Sequence, residues 1–96
     1  MSLKEVIEIL KQFKEDNRGR IPIVRLGVFG SFARNAATEG SDLDIVVVLP
    51  QQDLFEIIGI KQGLEDAFNR HVDIVSYREK MNPFLKKKID SEAVYV

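Results

Sequence analysis

The chain has 96 residues, which allows one domain with one core, burying roughly 60–65% of the surface that the unfolded chain exposes. Hydrophobic residues at 45% and charged residues at 30% exclude disordered, collagen-like and coiled-coil compositions. Fourteen Lys and Arg against fifteen Asp and Glu leave a net charge of −1, so there is no bulk attraction to nucleic acid or to an acidic membrane, and the lack of Cys excludes disulfide frameworks and thiolate chemistry.

In chain order, Ser2 and Glu5 form a capping-box pattern ahead of Leu3, Val6, Ile7, Leu10 and Phe13, which recur at helical spacing. Asn17-Arg18-Gly19 stops that predicted helix, and Ile23 to Phe29 is a β-rich run ended by Gly30-Ser31. Phe32 to Ala37 is predicted as a short helical segment. A second strand runs from Asp42 to Leu49, ended by Pro50. Asp53 and Glu56 repeat the capping pattern before a long helix lined by Leu54, Ile57, Ile58, Leu64, Ala67 and Phe68, with Phe55 also expected to pack in the core. Gly59 and Gly63 weaken that helix by about 1 kcal/mol each relative to Ala, unless they let it approach the sheet closely. His71 to Ser76 forms a third strand. Asn82 and Pro83 open a basic helix ending near Ile89, and Ala93 to Val96 a terminal strand. The order predicts an α+β domain spanning residues 1–96, a small mixed sheet with helices packed on one face. The longest apolar run, Ile45 to Leu49, falls far short of the ~20 residues that span a bilayer. Lys4, Glu5 and Glu8 interrupt the apolar residues of the N-terminus, unlike a secretory signal, so a cytoplasmic protein is expected.

Three features carry chemistry. Gly30-Ser31 stands where a buried strand turns, a position at which glycine admits a phosphate to the backbone and the serine hydroxyl can donate to it; alone, the pair reads first as a turn with a cap. Asp42 and Asp44 alternate with Leu43 and share one strand face, with Cα atoms about 6–7 Å apart. Carboxylates so placed suit Mg²⁺ or Mn²⁺, or they form a solvated strand end. Asp73 interrupts the apolar run Val72-Asp73-Ile74-Val75 and either completes a three-carboxylate cluster or pairs with Arg25 or Arg70.

Taken together, Gly30-Ser31-Phe32-Ala33-Arg34, Ser41-Asp42-Leu43-Asp44-Ile45-Val46-Val47 and Val72-Asp73-Ile74-Val75 resemble the nucleotidyltransferase superfamily that includes DNA polymerase beta. Along nearly its whole length, to the closing Glu92-Ala93-Val94-Tyr95-Val96, the chain is similar to the minimal nucleotidyltransferases of bacteria and archaea. Asn35 departs from the family pattern, which often has Gly there, but Asn tolerates the left-handed backbone next best. The resemblance implies a polymerase beta-like fold in which Gly30 and Ser31 bind nucleotide phosphates and Asp42, Asp44 and Asp73 hold two Mg²⁺ ions, with Mn²⁺ as the alternative. Such ions stabilise both the attacking and the leaving oxygen of a displacement at phosphorus. Arg34, three residues past Ser31, reaches a phosphate or a base, or else pairs with Glu39 or Asp42. Ser41 is grouped with the nucleotide-binding residues, chiefly as the residue that orients the Asp42 loop. His71 and the Lys86-Lys87-Lys88 run read as surface features first, with proton transfer and an acidic partner as their alternatives.

The implied reaction moves AMP from ATP to a hydroxyl. Larger relatives carry a second domain for the acceptor, for which these 96 residues leave no room, so a macromolecular acceptor is expected. Minimal nucleotidyltransferases are commonly encoded beside a HEPN-family ribonuclease toxin that they silence as antitoxins, by adenylylating a tyrosine, by binding, or both. The resemblance thus implies a HEPN-type partner from the adjacent gene. Binding without catalysis and transfer to RNA or a small molecule are the alternatives; the near-neutral charge disfavours RNA.

Overall fold

A helix start leaves backbone N–H groups without partners, and three side chains supply them here. The computed structural model describes residues 1–96. Helix α1 spans Leu3–Asp16; Glu5 N–H donates to Ser2 Oγ and Ser2 N–H to the Glu5 carboxylate, both at 3.2 Å. Helix α2, Leu54–Phe68, is capped by Asp53 Oδ1, which accepts from Phe55 N–H at 3.0 Å and Glu56 N–H at 3.2 Å. Helix α3, Pro83–Glu92, starts on Asn82 Oδ1 and runs three residues past the predicted end at Ile89. The strands are β1 (Arg25–Phe29), β2 (Leu43–Val48), β3 (Val72–Ser76) and β4 (Val94–Tyr95). Each is shorter than its sequence pattern, so Asp42 and His71 stand just ahead of β2 and β3.

Residues 32–37 form no helix. Arg34 N–H donates to the Gly30 carbonyl and Ala36 N–H to the Ser31 carbonyl, and then Asn35, at φ 57°, reverses the backbone after one turn. One left-handed residue is enough to end helical propagation.

The sheet order is β3-β2-β1-β4, with β2 and β3 parallel and the other pairs antiparallel. Parallel neighbours need a crossover, which α2 provides. Leu26, Val28, Leu43, Ile45, Val47 and Val72 face α1 and α2, where Val6, Leu10, Phe13, Ile60, Leu64 and Phe68 complete the main core. Alternation sends Phe29 and Val46 to the opposite face, where Ile89 of α3 covers them. The α+β class with a mixed sheet therefore holds, but only α1 and α2 share a face. The expectation of all helices on one side is corrected for α3, because the second sheet face is also partly apolar.

Helix α2 buries Ile57, Ile60, Leu64 and Phe68 against the sheet and α1. Leu54, Ile58 and Phe55 lie off this stripe, and Phe55 is 86% exposed rather than in the core. A Cβ at Gly63 would stand 2.8 Å from the Phe13 ring, so this glycine admits α1, whereas Gly59 faces open space. The close approach expected of these glycines is thus made by Gly63 alone, and to a helix rather than to the sheet.

Candidate active site

Strand β1 delivers Phe29 and then Gly30, whose φ of +76° is a left-handed conformation that glycine adopts without steric cost. A Cβ there would also collide with Asp44 Oδ2, so the Asp44 carboxylate rests directly on the glycine backbone. Both constraints demand glycine at the strand end. Ser31 follows, half-buried, at the start of the turn.

Asp44 and Asp73 are register partners across the parallel β2–β3 ladder, and Phe29 faces Asp44 from β1. Adjacent strands lie about 4.8 Å apart, so the two carboxylates project side by side from one face, with Asp42 two residues earlier on the loop leading into β2. The Asp44 carboxyl is pushed above its ordinary range, first by burial and then by the negative charge of Asp73; Lys88 and Arg34 oppose the shift and Asp42 adds to it. Asp44 therefore feels both of the other acids.

Asp73 pairs with neither arginine named in the sequence. Arg25 lies 3.7 Å above the Tyr95 ring, and Arg70 donates to the Ser41 carbonyl at 2.7 Å. Instead His71 Nε2 is 3.0 Å from Asp73 Oδ1, while His71 Nδ1 is 3.0 Å from Glu65 Oε2. Glu65 also accepts from Val72 N–H at 3.1 Å; that backbone bond, with smaller contributions from Lys61 and His71, outweighs burial and holds its carboxyl below the ordinary value. The Glu65–His71–Asp73 chain ties the third acid toward α2. As arranged, no three Asp, Glu or His side chains converge to share one ion. The donor set itself, hard carboxylate oxygens on one open face where burial and Asp73 outweigh Lys88 and Arg34 at Asp44, suits a divalent cation. Sharing an ion requires the carboxylates to shift from this arrangement; of the two Asp73 oxygens, His71 holds Oδ1.

Ser41 Oγ accepts from Thr38 N–H at 2.8 Å, and its carbonyl holds Arg70, so the residue organises the loop that presents Asp42. Arg34 reaches neither Glu39 nor Asp42. Its Nη1 donates to both carboxylate oxygens of Glu92 at 2.9 Å, and Gly30 N–H donates to Glu92 Oε2 at 3.2 Å. Glu92 and the Glu65–His71 pair are the site neighbours that sequence reasoning missed. The one local signal for Glu92 is an acid at the C-terminal end of α3, where the helix dipole disfavours it. Of the lysine run, Lys88 bears on Asp44 electrostatically, and Lys86 stands 3.9 Å from Glu79. The largest cavity, 620 Å³, lies elsewhere, between α1 and residues 18–24. The carboxylates and the Gly30 turn occupy an open face.

A mixed sheet that presents a glycine-serine turn beside strand-borne carboxylates defines a domain suited to phosphate chemistry. The nucleotidyltransferase domain family matches residues 4–96, and the chain belongs to it. Protein adenylyltransferase MntA of Thermococcus cleftensis is 33% identical over 97 residues, covering 100% of this chain and 97% of that relative. A solved structure described as a minimal nucleotidyltransferase is 33% identical with a TM-score of 0.79, covering 98% of this chain and 95% of that one. A chain from the complex of tri-AMPylated Shewanella oneidensis HEPN toxin with MNT antitoxin shares the fold, with a TM-score of 0.61 at 19% identity over 97% of this chain and 66% of that one.

Proposed function

We propose that this enzyme transfers AMP from ATP to a tyrosine hydroxyl of a HEPN-type ribonuclease toxin encoded by the adjacent gene, and so acts in the cytoplasm as its antitoxin. Residues 1–96 would work as one minimal nucleotidyltransferase domain. The observation that carries the reading is the alignment of Asp44 with Asp73 on one open face, with Asp44 seated against Gly30 at the head of the Gly-Ser turn. Its support from relatives is the adenylyltransferase name of the archaeal protein and the AMPylated toxin in the antitoxin complex.

Each residue has a role in this scheme. Gly30 admits the triphosphate to the backbone, Ser31 donates its hydroxyl to a phosphate oxygen, and Arg34 supplies positive charge. Ser41 fixes the loop that carries Asp42. Asp42, Asp44 and Asp73 would hold two Mg²⁺ ions, or Mn²⁺, which when bound supply positive charge to the leaving pyrophosphate and to the acceptor oxygen. The acceptor oxygen bonds to the α-phosphorus, the bond to the bridging oxygen of the β-phosphate breaks, and the hydroxyl proton passes to Asp73. The open face leaves room for an acceptor carried by another protein. An antitoxin that only binds would have no use for the burial and like-charge cost concentrated at Asp44.

The test incubates the chain with α-labelled ATP, Mg²⁺ and the adjacent gene product, followed by mass spectrometry of that product. AMP on a tyrosine, lost in the Asp42→Asn, Asp44→Asn double variant, is expected. Toxin inhibition without label means binding alone, and label on RNA means a different acceptor.

A further inference from the structure

Glu92 sits on Gly30 and Arg34, the two donors assigned above to nucleotide phosphates. Its carboxylate takes both oxygens to Arg34 and one of them to Gly30 N–H, across separations of 58 and 62 residues in the chain. The Glu92 side chain is 20% exposed and that of Arg34 48%, so the pair is partly withdrawn from water. Helix energetics give no reason for the placement: Glu92 closes α3, where the dipole is negative, and the last turn has no basic residue to offset it. A carboxylate and a phosphate present similar oxyanions to a backbone N–H and a guanidinium. Glu92 also adds a fourth acid to a face that already carries Asp42, Asp44 and Asp73.

We propose that Glu92 is an internal stand-in for phosphate, which holds the Gly30–Arg34 cradle in the nucleotide-free protein and must be displaced when a polyphosphate binds. The proposal rests on the reading of Gly30 and Arg34 as phosphate-binding groups. It makes Glu92 a specificity-determining residue, because it raises the apparent Kd of a cradle ligand by the reciprocal of the fraction of molecules whose cradle is free. A polyphosphate, with several charges to spend on the exchange, succeeds where a ligand without phosphates gains nothing from it.

Isothermal calorimetry with ATP, tripolyphosphate and adenosine tests this on the folded chain. Glu92→Gln keeps the side-chain size and removes the charge that engages Arg34. ATP and tripolyphosphate are expected to bind about tenfold more tightly, about 1.4 kcal/mol, with adenosine unchanged. Glu92→Asp keeps the charge but shortens the reach by one methylene, and it should tighten both polyphosphates in the same direction. The Gly30 amide resonance should move in nucleotide-free Glu92→Gln, a readout independent of any ligand. Folded variants that bind ATP with unchanged or weaker affinity overturn the proposal and make Glu92 a support for Arg34. Absence of ATP binding in wild type and variants alike overturns the assignment of the cradle itself, and this proposal with it.

Discussion

Asp44→Asn should stabilise this protein at neutral pH while removing a group assigned to catalysis. The Asp44 carboxyl is raised above its ordinary 3.8 by burial first and by Asp73 next. Between that unfolded value and the higher folded one, the folded chain binds more protons than the unfolded chain. Stability therefore falls as pH rises through the window, and the full penalty applies above it. Strand spacing sets the scale: two charges about 5 Å apart interact by roughly 3 kcal/mol at an effective dielectric of ~20. Solvent screening at this half-buried site reduces the net effect to about 1 kcal/mol. For a domain of this size, 1 kcal/mol moves Tm by about 4–8 °C. Differential scanning calorimetry at pH 7 should find Asp44→Asn melting higher than wild type by that amount. The advantage should narrow in acid and vanish below pH 3.8. Mn²⁺ should raise the Tm of wild type more than that of the variant. A variant that melts at or below wild type at pH 7, or a gain that persists in acid, refutes the electrostatic reasoning.

Gly30→Ala forces a side chain into a left-handed position at a cost of roughly 1–2 kcal/mol and drives it into the Asp44 carboxylate. A lower Tm together with lost AMP transfer is expected, read by calorimetry and label incorporation. Phe55→Ser removes a ring that is 86% exposed, so the unfolding free energy from urea titration should stay within about 0.5 kcal/mol of wild type. A larger loss would mean that α2 is seated differently.

Local signals were the legible ones. Ser2, Asp53 and Asn82 all cap the helices that follow them, and strand alternation put Asp44 on the face away from Leu43 and Ile45. The left-handed tolerance argued for Asn35 matches its φ of 57°. The same residue ended the helix expected over 32–37, because a run of helix-compatible residues does not reveal where one dihedral will reverse. Phe55 was misplaced since apolar character alone cannot say which flank of α2 meets the sheet; Ile57, Ile60, Leu64 and Phe68 do so as one stripe. Asp73 was singled out from its apolar surroundings, but its partner was not, because His71 competes with the arginines only once β3 has set their directions. Glu92 stands out in the sequence only as an acid at the unfavourable end of α3, and its partners do not, for a related reason. Its partners lie 58 and 62 residues away, and only the packing of α3 on the second sheet face brings them together.

In the proposed mechanism, acids from two adjacent strands share divalent ions beside the Gly30 turn. Anomalous diffraction from crystals grown with Mn²⁺ and a non-hydrolysable ATP analogue tests it most directly. Manganese peaks are expected within coordination distance of Asp42, Asp44 and Asp73, with Asp73 turned from His71 and phosphate oxygens on Ser31. Manganese absent from this face, or nucleotide bound elsewhere with the Asp73–His71 contact intact, would contradict it.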